Sequence, residues 1–215
     1  MEVLYEDNHL LVVNKSAGLT TQGAAAGEDS LVSRAKEYLK EKYRKPGNVY
    51  VGVVSRLDAL VTGVVVLART SKAAARLSEQ FREAEVAKTY WAVVEGTPAS
   101  HGTLVDCLVK DERQKKVIVV DRSHGQEARL QFRRLASLSP NQTLLEVKLE
   151  TGRKHQIRVH LADKGHPIVG DKNYGSRLNP IRRLALHGAH LEFKHPASGK
   201  RMSFDSNYPK AFYVL

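Results

Sequence analysis

The chain has only one cysteine and no long apolar run. These two features restrict the cellular compartment and the class of protein that we expect. Cys107 is the only cysteine among 215 residues, so no disulfide can form within the chain. Such cysteine usage is typical of a reducing compartment. No apolar stretch approaches the roughly 18 residues that a membrane-spanning helix needs. Glu2, Glu6 and Asp7 give the N-terminus the wrong charge for a secretory signal. We therefore expect a cytoplasmic protein that does not bind membranes.

Several motifs that announce a cofactor or a metal are also missing. The chain contains no P-loop, no dinucleotide-binding fingerprint and no nucleophile elbow. His155 and His160 are not spaced as a helical zinc pair, in which the two histidines stand at i and i+4, and no acid follows in the usual pattern. We therefore predict no metal site and no cofactor.

Acidic residues are scarce relative to basic ones, and the imbalance is uneven along the chain. There are 34 Lys and Arg against 23 Asp and Glu, which gives a net charge of +11. Residues 153–183 contain eight Lys or Arg and two acids, whereas residues 1–30 contain five acids and one lysine. This pattern indicates a basic face and a polyanionic partner. Nucleic acid is favoured over an acidic membrane because no long basic amphipathic helix is present; a generally basic protein is the alternative.

Apolar periodicity predicts many short strands and few helices. A helix is expected after Ser30, and others over residues 71–85 and 151–164, with a loop over residues 18–27. Strands are expected at residues 3–5, 10–14, 49–54, 63–68 and 90–95, in a four-stranded antiparallel meander over residues 102–149, and in a hairpin over residues 191–204. This order predicts an α+β fold rather than a doubly wound sheet.

Asp58 stands on the connection between two apolar segments, residues 49–54 and 63–67. Loops held by a rigid scaffold are where catalytic groups concentrate. Arg56, two residues earlier, could shield the charge of the carboxylate. Taken alone, an aspartate in such a place is more often a turn residue or a helix N-cap.

The chain resembles the RluA family of pseudouridine synthases through six ordered motifs that span about residues 2–204. At the first main match, Ser55-Arg56-Leu57-Asp58 is followed by Val61-Thr62-Gly63; the second reads Gly152-Arg153, His155-Gln156-Ile157-Arg158 and Val159-His160-Leu161. Further matches are Glu6 to Lys15, Lys88-Thr89-Tyr90, Gly165 to Ile168 with Gly170-Asp171 and Tyr174-Gly175, and Leu186-His187 with His195-Pro196. Departures surround Asp58: Ser55 replaces the usual His, Ala59 and Leu60 replace a charged pair, Val61-Thr62 stands for Thr-Ser, and Ser16 replaces a proline.

The resemblance implies a fold and a set of site residues. The expected fold is a single α+β domain over residues 1–215, with a long bent mixed, largely antiparallel β-sheet flanked by helices, an active-site cleft across its middle, and no N-terminal accessory RNA-binding domain. The implied catalytic residues are Asp58 as the carboxylate, Arg158 as its cation, and Tyr90, which would stack on the base and exchange protons with it. The implied substrate-binding residues are Arg56, Leu186, Arg153, His155 and Gln156. Arg56 would contact the RNA backbone or fill the space of an extruded base, and Leu186 would wall the base pocket or be a plain core leucine.

The chemistry that this family performs needs one ionised carboxylate. The bond from C1′ to N1 of a uridine breaks, the base turns over, and C1′ is rejoined to C5, so no cofactor is required. The carboxylate could attack C1′ or remove a proton from C2′, and the sequence leaves both routes open. The base must first be unstacked from the RNA.

We therefore predict a monomeric RNA pseudouridine synthase, without a protein partner, that isomerises a specific uridine in structured ribosomal or transfer RNA. A non-catalytic RNA-binding or chaperone protein that keeps the synthase fold is the alternative. It would not explain why Asp58, Tyr90 and Arg158 are retained together. A glycoside hydrolase would need a second placed carboxylate, and no comparable acidic motif stands out.

Overall fold

The computed structural model describes residues 1–23, 29–207, 209 and 212. Over these residues the chain forms two compact units, one of Met1–Val86 with His190–Ser206 and one of Ala87–Ala189 with Asn207–Leu215. The strands are β1 Glu2–Glu6, β2 Leu10–Lys15, β3 Gly52–Val53, β4 Thr62–Ala68, β5 Ala87–Glu95, β6 His101–Asp111, β7 Lys116–Val120, β8 Gln126–Ser139, β9 Gln142–Leu149, β10 Leu186–Lys194 and β11 Arg201–Asp205. The helices are α1 Leu31–Lys42, α2 Ser71–Arg82, α3 Gln156–Asp163 and a 3₁₀ turn at Lys172–Tyr174. The predicted α+β class, rich in antiparallel strands, is confirmed.

In the first unit, β2 and β4 form a sheet that is covered on both faces. They pair antiparallel, with Leu11 opposite Leu67 and Val13 opposite Val65, and β1 and β3 pair antiparallel with β2 and β4 respectively. Alternate residues of β2 pack against α2 on one face and against α1 on the other. Because both faces are buried, these strands read as nearly continuous apolar runs in the sequence.

The two helices of the first unit begin where the sequence predicts. Ser30 caps α1 by accepting a hydrogen bond from the backbone of Ser33, whose side chain in turn accepts one from the Ser30 backbone. Thr70 caps α2 through Ala73. Each such cap stabilises its helix by about 1 kcal/mol. The predicted loop over residues 18–27 lies partly outside the described residues, which end at 23 and resume at 29.

In the second unit the strands lie in the order β5-β9-β8-β6-β7, and every pair is antiparallel. The four predicted strands of residues 102–149 are present. The prediction that they form a meander, with each strand paired to the next along the chain, is wrong. β6 is long enough to pair with β7 along one edge, over Cys107–Asp111, and with β8 along the other, over His101–Leu108. Apolar alternation locates a strand and its buried face, but it contains no information about which edge the next strand takes.

Two predicted elements are shorter than expected. The strand predicted at residues 49–54 is reduced to Gly52–Val53. The helix predicted from residue 151 begins at Gln156, because His155 adopts a left-handed backbone with φ 53° and so interrupts the helical geometry. Val159 of α3 packs against apolar residues of β6, β7 and β8. Among the described helices, none combines the length and the apolar character that a bilayer crossing requires.

Candidate active site

Asp58 lies on the connection between β3 and β4, where the sequence predicts it, and is partly buried. The backbone of this loop is held at several points. Val61 N–H donates to the Asp58 carbonyl at 3.0 Å, and Gly18 N–H donates to the Ala59 carbonyl at 2.9 Å. The loop is therefore a defined turn, and the position of the carboxylate is set by backbone contacts.

Two side chains of the first unit anchor the same loop, and the sequence did not predict a role for either of them. Lys15 is only 1% exposed. Its Nζ donates to the Ala59 carbonyl at 3.0 Å and to the Leu19 carbonyl at 2.7 Å. Thr21 Oγ1 donates to the Leu57 carbonyl at 2.8 Å and accepts from the Leu57 amide at 3.1 Å. The only sequence signal for a role of Lys15 was that it ends the family match from Glu6 to Lys15.

Arg56 differs from Lys15 and Thr21 in that its side chain does not hold the loop. Its side chain is exposed. Within the part of the chain that the structure describes, the guanidinium of Arg56 has no hydrogen bond or ion pair. An arginine in this state can engage an external anion without breaking an internal contact.

In the second unit, Arg158 is buried in α3 and forms a two-pronged ion pair. Its Nε donates to Asp171 Oδ2 at 2.7 Å, and one Nη donates to Asp171 Oδ1 at 2.8 Å. Arg158 is 6% exposed and Asp171 is 3% exposed. Parallel hydrogen bonds between a guanidinium and a carboxylate fix both distance and plane. Gly170-Asp171 is one of the family matches, but the sequence implied no function for Asp171.

Tyr174 joins two of the predicted site residues. The guanidinium carbon of Arg158 lies 4.8 Å from the centre of the Tyr174 ring. The Tyr174 hydroxyl accepts the Val117 amide at 3.1 Å and lies 2.8 Å from His155 Nδ1. His155 and Arg158 therefore both contact Tyr174, which was not among the predicted site residues.

The segment that bears Asp171 is built around Gly170. Gly170 has φ +84°, and a Cβ there would lie 2.0 Å from the Arg183 carbonyl, so only glycine fits. Its amide donates to Ser176 Oγ at 3.0 Å, and Ser176 Oγ donates to Glu95 Oε1 at 2.5 Å. The same Glu95 oxygen accepts the amides of residues 177 and 178. The end of β5 thus positions the loop whose aspartate holds Arg158.

The remaining predicted residues occupy distinct environments. Gln156 is 2% exposed; its Oε1 accepts from Thr151 Oγ1 and from the Arg153 amide, and its Nε2 donates to the Arg129 carbonyl. Arg153 is exposed and its Nε donates to the Glu127 carbonyl at 2.9 Å. Tyr90 is half-buried on β5, opposite Val147 of β9. Leu186, the first residue of β10, is 4% exposed.

The described residues contain no group of three or more His, Cys, Asp or Glu side chains placed to hold a metal ion. His160 is fully buried, and neither of its ring nitrogens has a hydrogen-bond partner among those residues. Its Nε2 lies 4.0 Å from Asp106 Oδ2. Burial lowers the pKa of His160, which favours the neutral imidazole.

Comparison with known proteins decides the family. The model of the RNA pseudouridylate synthase family matches residues 9–163. The chain belongs to the RluA family of RNA pseudouridine synthases. The ribosomal large subunit pseudouridine synthase D of Zymomonas mobilis is 38% identical over 228 residues, covering all of this chain and 71% of that protein. The protein of the same name from Pseudomonas aeruginosa is 37% identical over 230 residues, covering 100% of this chain and 70% of its own length.

A solved structure agrees with the family membership. Human RNA pseudouridylate synthase domain containing 4 superposes with a TM-score of 0.81 at 28% identity, covering 99% of this chain and 90% of that one. The predicted enzyme class, an isomerase that acts on uridine in RNA, is confirmed by membership of the pseudouridine synthase family.

Proposed function

We propose that this pseudouridine synthase isomerises a uridine in large-subunit ribosomal RNA, with Asp58 as the catalytic carboxylate. The relatives from Zymomonas mobilis and Pseudomonas aeruginosa carry ribosomal large subunit in their names, which favours this RNA over transfer RNA. The observation that carries the role of Asp58 is its loop, which Lys15 and Thr21 anchor through the backbone. In this proposal the enzyme acts as a cytoplasmic monomer.

We assign each site residue a task in the reaction. Asp58 attacks C1′ or removes the C2′ proton. Arg56, exposed on the same loop, contacts a phosphate of the RNA or fills the space that the extruded base leaves. Tyr90 stacks on the base, and Leu186 walls its pocket. The ion pair of Asp58 with Arg158 stays a prediction.

The Thr151–His155 loop divides into residues that reach outward and residues that hold the loop. Arg153 is exposed and retains its proposed contact with RNA. The buried amide of Gln156 is used by the protein itself, so we assign Gln156 to holding the loop rather than to binding substrate. His155 orients Tyr174, and through the Tyr174 ring Arg158; its imidazole is partly exposed and retains its proposed contact with RNA.

Mapping of pseudouridine tests the proposal directly. Ribosomal and transfer RNA from cells with and without the active gene are compared at each uridine. We expect one or more uridines of large-subunit ribosomal RNA to lose the modification in the deletion strain and to regain it on complementation. Loss confined to transfer RNA would overturn the choice of RNA, and loss at no uridine would favour the non-catalytic RNA-binding alternative.

A further inference from the structure

Lys88 lies on the same strand and on the same side of it as Tyr90. Both belong to β5, and residues two apart in a strand point to the same face of the sheet. The Lys88 side chain is half-buried. Its Nζ lies 3.7 Å from the point that a Cβ on Gly152 would occupy. The ammonium group therefore faces the Thr151–His155 loop, immediately before Arg153.

The Lys88 ammonium has no counter-ion in the part of the chain that the structure describes. Among the residues that the structure describes, it makes no hydrogen bond and no ion pair. Burial lowers the pKa of Lys88, and no carboxylate contributes to offset that effect. The two fully buried Lys and Arg side chains among the described residues are compensated: carbonyl oxygens surround Lys15 and a carboxylate faces Arg158.

A half-buried cation without a partner is costly to the folded protein. The cost is recovered where a ligand brings the opposite charge. Gly152 is exposed and carries no side chain, so the surface beside Nζ is open to an approaching group. RNA supplies one phosphate per nucleotide, and a lysine binds phosphate as a compact point charge.

We infer that Lys88 binds a phosphate of the substrate RNA next to the target uridine. The inference rests on the proposed function, because Tyr90 defines where the uridine lies. Lys88 and Arg153 then border one short stretch of the RNA backbone, Lys88 from β5 and Arg153 from the loop before α3. Two other roles are possible for a lysine in this position: proton transfer to the base, and packing of its aliphatic stem alone. The three roles differ in measurable ways.

The test compares Lys88→Met, which keeps the stem and removes the charge, with Lys88→Arg, which keeps the charge. Lys200→Met is the matched control, because Lys200 is exposed in the β10–β11 turn and its ammonium has no partner among the described residues. The probe is an unmodified transcript of large-subunit ribosomal RNA. Binding is measured by equilibrium titration over a range of salt concentrations, and pseudouridine formation is measured at saturating RNA.

For Lys88→Met we expect binding about tenfold weaker, the loss of one charge-assisted hydrogen bond. The slope of log K against log salt should become shallower by about 0.7 for a single strand. Turnover at saturating RNA should stay close to wild type, and Lys88→Arg should restore most of the affinity. The melting temperature of free Lys88→Met should rise, since the unpartnered charge is gone. Lys200→Met should match wild type in all four measurements.

Unchanged affinity and salt slope in Lys88→Met would overturn the inference. Lost turnover with unchanged affinity would also overturn it, because the lysine would then act in proton transfer. A lower melting temperature together with unchanged affinity would assign Lys88 to packing. Failure of the proposed function looks different: the wild-type protein itself would then form no pseudouridine in the transcript.

Discussion

The Asp58 loop of the first unit and the Arg158 helix of the second unit are held in opposite ways. The loop is anchored through its backbone, by Lys15 and Thr21. The helix is anchored through its side chains, with Arg158 on Asp171 and Gln156 on the preceding loop. Because the Asp58 loop is held through its backbone, the neighbouring side chain of Arg56 can stay exposed. The side chains of Arg158 and Gln156 are fixed, because they form the anchoring contacts themselves.

The comparison separates charges that build the site from charges that meet the substrate. Arg158 and Lys15 are buried and have internal partners, so their charges hold structure. Arg56 and Lys88 have no internal partner among the described residues. A missing partner alone does not mark an RNA-binding position, because Lys200 on the general basic surface lacks one too; Arg56 is set apart by its place on the Asp58 loop, and Lys88 by being half-buried.

The largest effect is expected when the buried ion pair is broken. Asp171→Ala leaves the Arg158 guanidinium buried without its two-pronged partner, so the free energy of unfolding should fall by about 3 kcal/mol. Denaturant unfolding measures the loss. Asp163→Ala, at the partly exposed end of the same helix, is the control and should change stability by about 0.5 kcal/mol or less. Equal stabilities for the two variants would show that the pair does not hold α3.

Removal of the backbone anchor should have the next largest effect. Lys15→Met leaves three carbonyl oxygens without their donor, and we expect a loss of about 2 kcal/mol in unfolding free energy. Turnover should fall as well, because the loop that bears Asp58 is released. Lys36→Met, on the exposed side of α1, serves as the control for both measurements. Full turnover in Lys15→Met would show that the loop keeps its course without the lysine.

The carboxylate of Glu6, in the first unit, is a structural charge whose contribution to stability depends on pH. Burial raises its pKa, but hydrogen bonds from Lys42, Tyr43 and Tyr38 outweigh burial and lower the pKa from 4.5 to about 2. A depressed pKa stabilises the fold above the usual value, and this contribution is lost as the pH falls towards the folded value. Glu6→Gln should therefore cost about 1 to 2 kcal/mol at neutral pH, and the deficit should shrink between pH 4.5 and about 2. A deficit that is independent of pH would show that the carboxylate charge is not what stabilises the cluster.

The smallest effect on stability is expected at Arg56. Arg56→Met removes an exposed charge that has no partner among the described residues, so the unfolding free energy should change by about 0.5 kcal/mol or less. Affinity for the ribosomal RNA transcript should nevertheless fall. Calorimetric melting and equilibrium titration of the same protein preparation measure the two effects. A large loss of stability would place Arg56 with the structural charges instead.

Local patterns in the sequence predicted the elements of the fold well. Ser30 predicted the start of α1, and the structure confirms it as the N-cap of that helix. The predicted start of α3 was wrong because amino-acid composition does not predict the left-handed backbone of His155. The order of β6, β7 and β8 was wrong because strand order depends on contacts between distant residues.

The family motifs placed residues in the fold better than they predicted the contacts of those residues. Asp58 was predicted on a loop between strands and lies there. Gln156 was predicted to bind substrate, yet all its contacts described above are internal, which only three-dimensional packing could reveal. Asp171 and Lys88 stood inside quoted motifs without a role, because a counter-ion, or the lack of one, is a property of the folded chain.

Turnover by purified Asp58→Asn on an unmodified large-subunit ribosomal RNA transcript decides whether this carboxylate performs the chemistry. The substitution keeps the size of the side chain and removes its charge and nucleophilicity, so the melting temperature and RNA affinity should match wild type. We predict pseudouridine formation below a few per cent of the wild-type rate. A folded Asp58→Asn protein that forms pseudouridine at a substantial fraction of the wild-type rate would contradict the central claim that Asp58 performs the chemistry.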